Sequence, residues 1–186
     1  MKKILLIEDD SNALEKVKSR LNSVPVFKEK FEFIDCGAFS PSDNNATNTR
    51  KISKDEQKER ILDTIHANIK EFDLLILDYK LFGGDGEEKG DIHISVIIAE
   101  EIKNNKEFAG KKMMFISGYG THIVDDKKVR KLADFCVRPE FRGEDDRRVS
   151  ECYGDYDKCK RPEKHNPPTC MEAECLAQMI IDIYEK

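Results

Sequence analysis

Five short apolar runs punctuate an otherwise polar chain: KILLI at 3–7, FEFIDC at 31–36, DLLILD at 73–78, KMMFIS at 112–117 and DFCVR at 134–138. Each has the length of a strand, and several are apolar at nearly every position instead of alternating. Strands of that kind are covered on both faces. Between the runs the apolar period changes to that of a helix. Leu14, Val17 and Leu21 share one face behind a cap at Asp10 or Ser11, and Ile61, Ile65 and Ile69 share another behind a capping box of Ser53 and Glu56. Ile94, Ile98 and Ile102 make a third stripe, residues 122–132 a more polar fourth, and Leu176, Met179, Ile180 and Ile183 a fifth.

Strand and helix thus alternate five times. Such alternation predicts right-handed crossovers and an open, doubly wound parallel sheet, with ligands bound outside the carboxyl ends of the strands. Ile7, Asp78, Ser117 and Arg138 fall toward that one edge. With 186 residues, a single domain spanning 1–186 is expected, since domains commonly run about 100 to 150 residues. Three stretches exceed what the connections need and read as insertions: 37–52, rich in Asn and turn formers and expected to be an exposed or disordered loop; 82–91, glycine-rich and acidic; and 141–169, which carries Cys152, Cys159 and three of the six prolines.

The chemistry gathers at the predicted edge. Glu8, Asp9 and Asp10 follow the first run, and Asp78 ends the third. In a doubly wound sheet the first and third strands are neighbours, so these acids converge and repel one another unless protons or a cation neutralise them. A set of oxygen ligands suits Mg²⁺, which keeps several waters and uses one or two carboxylates plus a phosphate oxygen. Taken singly, Asp10 is accounted for as a helix cap and a lone acid at a strand end as a turn former. Their coincidence on one edge is what points to a site.

Composition narrows the partners. With 32 Lys and Arg against 37 Asp and Glu, the net charge is −5, which favours neither nucleic acid nor an anionic membrane as a direct ligand. The apolar run at the start stops at Ile7, short of a signal peptide, and no other segment approaches a membrane span, so a cytoplasmic protein is expected. Structural disulfides are then disfavoured for the six cysteines. Cys36 and Cys136 read as buried free thiols. Cys152, Cys159, His165 and Cys170 lie in a polar stretch that a Zn²⁺ ion would tie together, although no C-x-x-C pair occurs among them and solvated thiols are the alternative. His66, His93 and His122 fall in or beside helices, as structural or exposed residues.

The pieces ILLIEDD, LLILDYKL, MMFISGYG and ADFCVRPEF, in that order, resemble the receiver domains of two-component response regulators. The resemblance implies a five-stranded (βα)5 flavodoxin-like receiver fold with strand order 2-1-3-4-5. It makes Glu8 and Asp9 the acidic pair that helps to hold Mg²⁺, Asp78 the phosphoacceptor and a further metal ligand, and the Lys80 carbonyl another ligand. Ser117 takes the place of the hydroxyl residue that binds the phosphoryl group, and Phe135 that of the switch aromatic. Arg138 stands where the family has a lysine, an exchange of a point charge for a planar, bidentate group.

The resemblance thus implies a stand-alone response regulator that receives its phosphoryl group from a histidine kinase or phosphotransfer protein. The last predicted helix ends the sequence, so output is expected through contact with a downstream protein or a second copy. A pseudo-receiver, binding or dimerising without phosphorylation, is the alternative that Arg138 supports. Enzymes are disfavoured: an aspartyl phosphatase wants an acid two residues after its nucleophile, where this chain has Lys80, and a dinucleotide enzyme wants a glycine-rich turn where it reads EDDSNA.

Overall fold

The structure, a computed structural model, describes residues 1–40, 42–43, 50–82, 93–116, 131–132, 135–137 and 173–185. Strands β1 (Lys2–Ile7), β2 (Phe31–Ile34), β5 (Leu74–Asp78), β6 (Lys112–Ile116) and β7 (Phe135–Val137) form one parallel sheet in the order β2-β1-β5-β6-β7. Counted by the five predicted runs, this is 2-1-3-4-5. The helices are α1 (Ser11–Asn22), α2 (Pro25–Lys30), α3 (Lys54–Asn68), α4 (Ile94–Lys103) and α5 (Ala173–Glu185). The predicted helix at 122–132 falls almost wholly outside the described residues.

The continuous apolar runs are explained by what covers each face. Successive strand residues point to opposite sides. Leu5, Ile7, Leu75, Leu77, Met113 and Phe115 pack beneath α3 and α4 with Ile61, Ile65, Val96 and Ile102. Ile4, Leu6, Leu74, Ile76, Met114 and Ile116 pack on the other face with Leu14, Val17 and Leu21 of α1, Phe27 of α2, and Leu176, Ala177 and Ile180 of α5. All five residues of β5 are buried, so it is the central strand in burial as well as in order.

The helix starts follow their caps. The Asp10 carboxylate accepts from the N–H groups of Asn12 at 2.7 Å and Ala13 at 3.1 Å, and the Ser53 hydroxyl accepts from Glu56 N–H at 3.2 Å. Helix α2 was not expected. Its six residues begin with Pro25 at the first turn, where a missing N–H is harmless, and bury only Phe27, so no periodic stripe announces it.

Two further details differ from the sequence reading. The segment 37–52 is not wholly an exposed loop: Phe39 and Ile52 are buried, and Ser42–Asp43 (β3) pairs antiparallel with Arg50–Lys51 (β4). Cys36 lies past the end of β2 and is half-buried, with Sγ 3.5 Å from the Leu6 carbonyl oxygen. No helix among the described residues is long and apolar enough to cross a membrane.

Candidate functional site

Register places the acids. Ile7 pairs with Leu77, so Glu8 and Asp78 follow side by side at the carboxyl edge, and Asp78 in turn pairs with Ile116 of β6. One carboxylate oxygen each of Glu8, Asp9 and Asp78 lies within 4.8 Å of the others, the one group of acidic or metal-ligating side chains so gathered among the described residues. Glu8 is 7% and Asp78 8% exposed; Asp9 is half-buried.

The main chain holds these groups from below. Glu8 Oε1 accepts the N–H groups of Asp9 and Asp10, each at 3.1 Å. Asp9 Oδ2 accepts the N–H of Phe82 at 3.0 Å, a bond that spans from the loop after β1 to the loop after β5. The Glu8 carbonyl accepts from Phe39 N–H at 2.9 Å, which ties the start of the 37–52 segment to the same edge. Behind Asp78, Tyr79 donates its N–H to the Ile116 carbonyl at 2.7 Å and accepts the Ser95 hydroxyl on its own carbonyl at 2.6 Å. The Tyr79 ring packs on His93, with ring centroids 4.3 Å apart, and meets Phe115 edge-on. The residue after Asp78 is therefore fixed to β6 and to the first turn of α4.

Burial sets the electrostatics. It pushes the Glu8 carboxyl up from its ordinary 4.5 to about 8, with the Asp78 charge adding to the rise and the Asp10 N–H opposing it. Asp78 is raised from 3.8 to about 7 by burial first and by Asp9 next, against the pull of the Lys80 and Tyr79 N–H groups and the Lys80 charge. Asp9 is also raised by burial, with the Phe82 N–H opposing. Three acids in this state favour protons or a cation over open ionisation. Their chemistry fits Mg²⁺: hard oxygen donors, few in number and close together.

Of the residues singled out in the sequence, Glu8, Asp9 and Asp78 are brought together. Lys80 lies in the turn leaving β5, half-buried. Phe135 begins β7, paired with Met114, although its side chain lies outside the described residues. Ser117, which follows Ile116 in the sequence, and Arg138, which follows Val137, lie outside them too, as do Cys152, Cys159, His165 and Cys170. Phe82 was missed. It fell in a segment read as a glycine-rich insertion, and its part is played by a backbone N–H, which leaves no mark on residue type. Its φ of 59° is left-handed, a conformation that disfavours an L side chain by about 1–2 kcal/mol.

No family model matches the chain, and no curated protein matches it. Among solved structures, the signal receiver domain of a DNA-binding response regulator from Colwellia psychrerythraea 34H is similar at a TM-score of 0.50, with 15% identity over 100% of both chains. A response regulator receiver domain protein from Clostridium thermocellum gives 0.46 at 19% identity, covering 76% of this chain and 85% of its own. A response regulator from Desulfuromonas acetoxidans gives 0.44 at 15%, covering 76% and 87%. The Colwellia likeness and the strand order agree on one fold.

Proposed function

We propose that this chain, which has the fold of response regulator receiver domains, accepts a phosphoryl group on Asp78 in a Mg²⁺-dependent reaction and signals through protein contacts. The observation that carries the reading is the convergence of Glu8, Asp9 and Asp78 within 4.8 Å at the carboxyl edge of adjacent parallel strands. A merely structural edge gains nothing from two buried acids and a half-buried third, all held above their ordinary pKa, with the Asp78 charge raising Glu8 and the Asp9 charge raising Asp78.

In the proposed reaction an ionised Asp78 oxygen attacks phosphorus in line, the bond from phosphorus to the donor breaks, and the leaving group departs with that electron pair. Mg²⁺, when bound, neutralises charge on the transferred oxygens. Glu8 and Asp9 would hold it, with Asp78 and the Lys80 carbonyl as further ligands. The main-chain bonds to Glu8 Oε1 and Asp9 Oδ2 keep both acids oriented before any ligand arrives. The contacts of Tyr79 with Ile116 and Ser95 hold the nucleophile's backbone.

Ser117 would donate to the acyl phosphate and Arg138 would supply positive charge, with Phe135 turning as Ser117 moves. The donor is a histidine kinase or phosphotransfer protein and the setting the cytoplasm; the output is a contact with a downstream protein or a second copy.

The test is intact-protein mass after incubation with Mg²⁺ and a small-molecule phosphodonor. A single phosphoryl adduct that disappears with a chelator supports the reading. No adduct, in the wild type or in Arg138→Lys, would leave a pseudo-receiver that binds partners without phosphorylation.

A further inference from the structure

Three acids at one edge attract any divalent cation; what separates Mg²⁺ from Ca²⁺ is how many oxygens each acid can offer. Mg²⁺ demands near-octahedral geometry and is content with one oxygen from each of one or two carboxylates plus water. Ca²⁺ gathers about 6–8 oxygens and readily takes both from one carboxylate. Here Glu8 Oε1 is committed to the Asp9 and Asp10 amides, and Asp9 Oδ2 to the Phe82 amide.

We infer that Phe82 is a cation-specificity residue: its N–H occupies the second oxygen of Asp9, so that this carboxylate offers a single oxygen, and the edge is set for Mg²⁺ and against Ca²⁺. The inference rests on Asp9 as a metal ligand, as proposed above.

Two features of Phe82 indicate that its amide is aimed. It is the one non-glycine residue with a positive φ among those described, and for a bulky side chain such a value is an outlier. Its ring, meanwhile, packs against the core cluster that contains Tyr79, Leu81 and Val96. With the ring fixed there, φ decides where the N–H points, and the left-handed value turns it to an acid on the neighbouring loop. The two amides on Glu8 come from the residues that directly follow it. The Phe82 bond crosses between loops and is the one that a single substitution can remove.

The experiment is calorimetric titration of the full chain with Mg²⁺ and, separately, with Ca²⁺, read as the ratio of the two dissociation constants. Phe82→Pro deletes the donor. Phenyllactic acid introduced at position 82 replaces the amide by an ester and deletes it while keeping the ring. Phe82→Tyr keeps both and serves as control. The preference for Mg²⁺ is expected to fall about tenfold in the ester protein and in Phe82→Pro and to stay unchanged in Phe82→Tyr, as fits a hydrogen bond to a charged group. Should Phe82→Pro fail to fold, judged by circular dichroism, the ester protein decides. An unchanged ratio in an ester protein that still binds Mg²⁺ would overturn the role of Phe82 and leave the metal site standing. A wild-type chain that binds neither cation would overturn both.

Discussion

Replacing Asp78 by asparagine should make the metal-free protein more stable, and the gain should depend on pH in a defined direction. The folded state holds Asp78 at about 7 against an ordinary 3.8, and Glu8 at about 8 against 4.5. Raised carboxyls bind protons more tightly when folded than when unfolded. Their penalty is thus absent below about pH 4, grows as pH rises through 5 to 7, and is complete above about pH 8.

For Asp78 alone the rise corresponds to about 4 kcal/mol against ionisation in the folded state at high pH. Burial is the first cause of that penalty and the Asp9 charge the next; the repulsion between two unit charges 4.8 Å apart, the limit of the cluster's spread, is about 3.5 kcal/mol at an effective dielectric constant of about 20. The asparagine amide must find partners in a site built for a carboxylate, which offsets about 1–2 kcal/mol. A net gain of about 2 kcal/mol at pH 8 results, or about 4–8 °C in Tm for a domain of this size. At pH 4 the penalty is gone while the cost of placing the amide remains, so Asp78→Asn should be about 1–2 kcal/mol less stable than wild type. The assay is thermal unfolding of Asp78→Asn and wild type at both pH values with chelator present. Equal gains at the two pH values, or a loss at pH 8, would refute the argument that ionising Asp78 is costly in the folded site.

Three other outcomes are expected. Mg²⁺ should raise the wild-type Tm more at pH 8 than at pH 5, because protons compete for the same oxygens at the lower pH; differential scanning fluorimetry at matched ionic strength checks it, and an equal rise at both would count against the acids as ligands. Ser95→Ala removes a fully buried hydroxyl from the Tyr79 carbonyl and should destabilise by about 1–2 kcal/mol in urea unfolding, since the carbonyl is left without that donor. Arg138→Lys should change the rate at which the phosphoryl adduct forms without changing its site, read by a mass time course.

The sheet was legible because its strands are apolar on both faces, a pattern that a half-solvated sheet does not give, and the acids were legible because they sit where such runs stop. Register then did what the sequence could only imply, setting Glu8 beside Asp78 through the pairing of Ile7 with Leu77. The hidden features depend on backbone. Helix α2 buries one phenylalanine and has no period to read. The 37–52 segment looked like a loop because its turn formers outnumber Phe39 and Ile52, the residues that anchor it. Phe82 acts through an amide that every residue except proline possesses, directed by a φ that its side chain disfavours. Composition cannot report such a role.

The most direct test is to find where the phosphoryl group resides. After incubation with Mg²⁺ and a small-molecule phosphodonor, borohydride reduction converts an aspartyl phosphate to homoserine, and peptide mass mapping then identifies the altered residue. Homoserine is expected at position 78, within the peptide that contains LLILDYK, and nowhere else. Modification at Glu8, at Asp9 or at a histidine, or none in a protein that binds Mg²⁺, would contradict it.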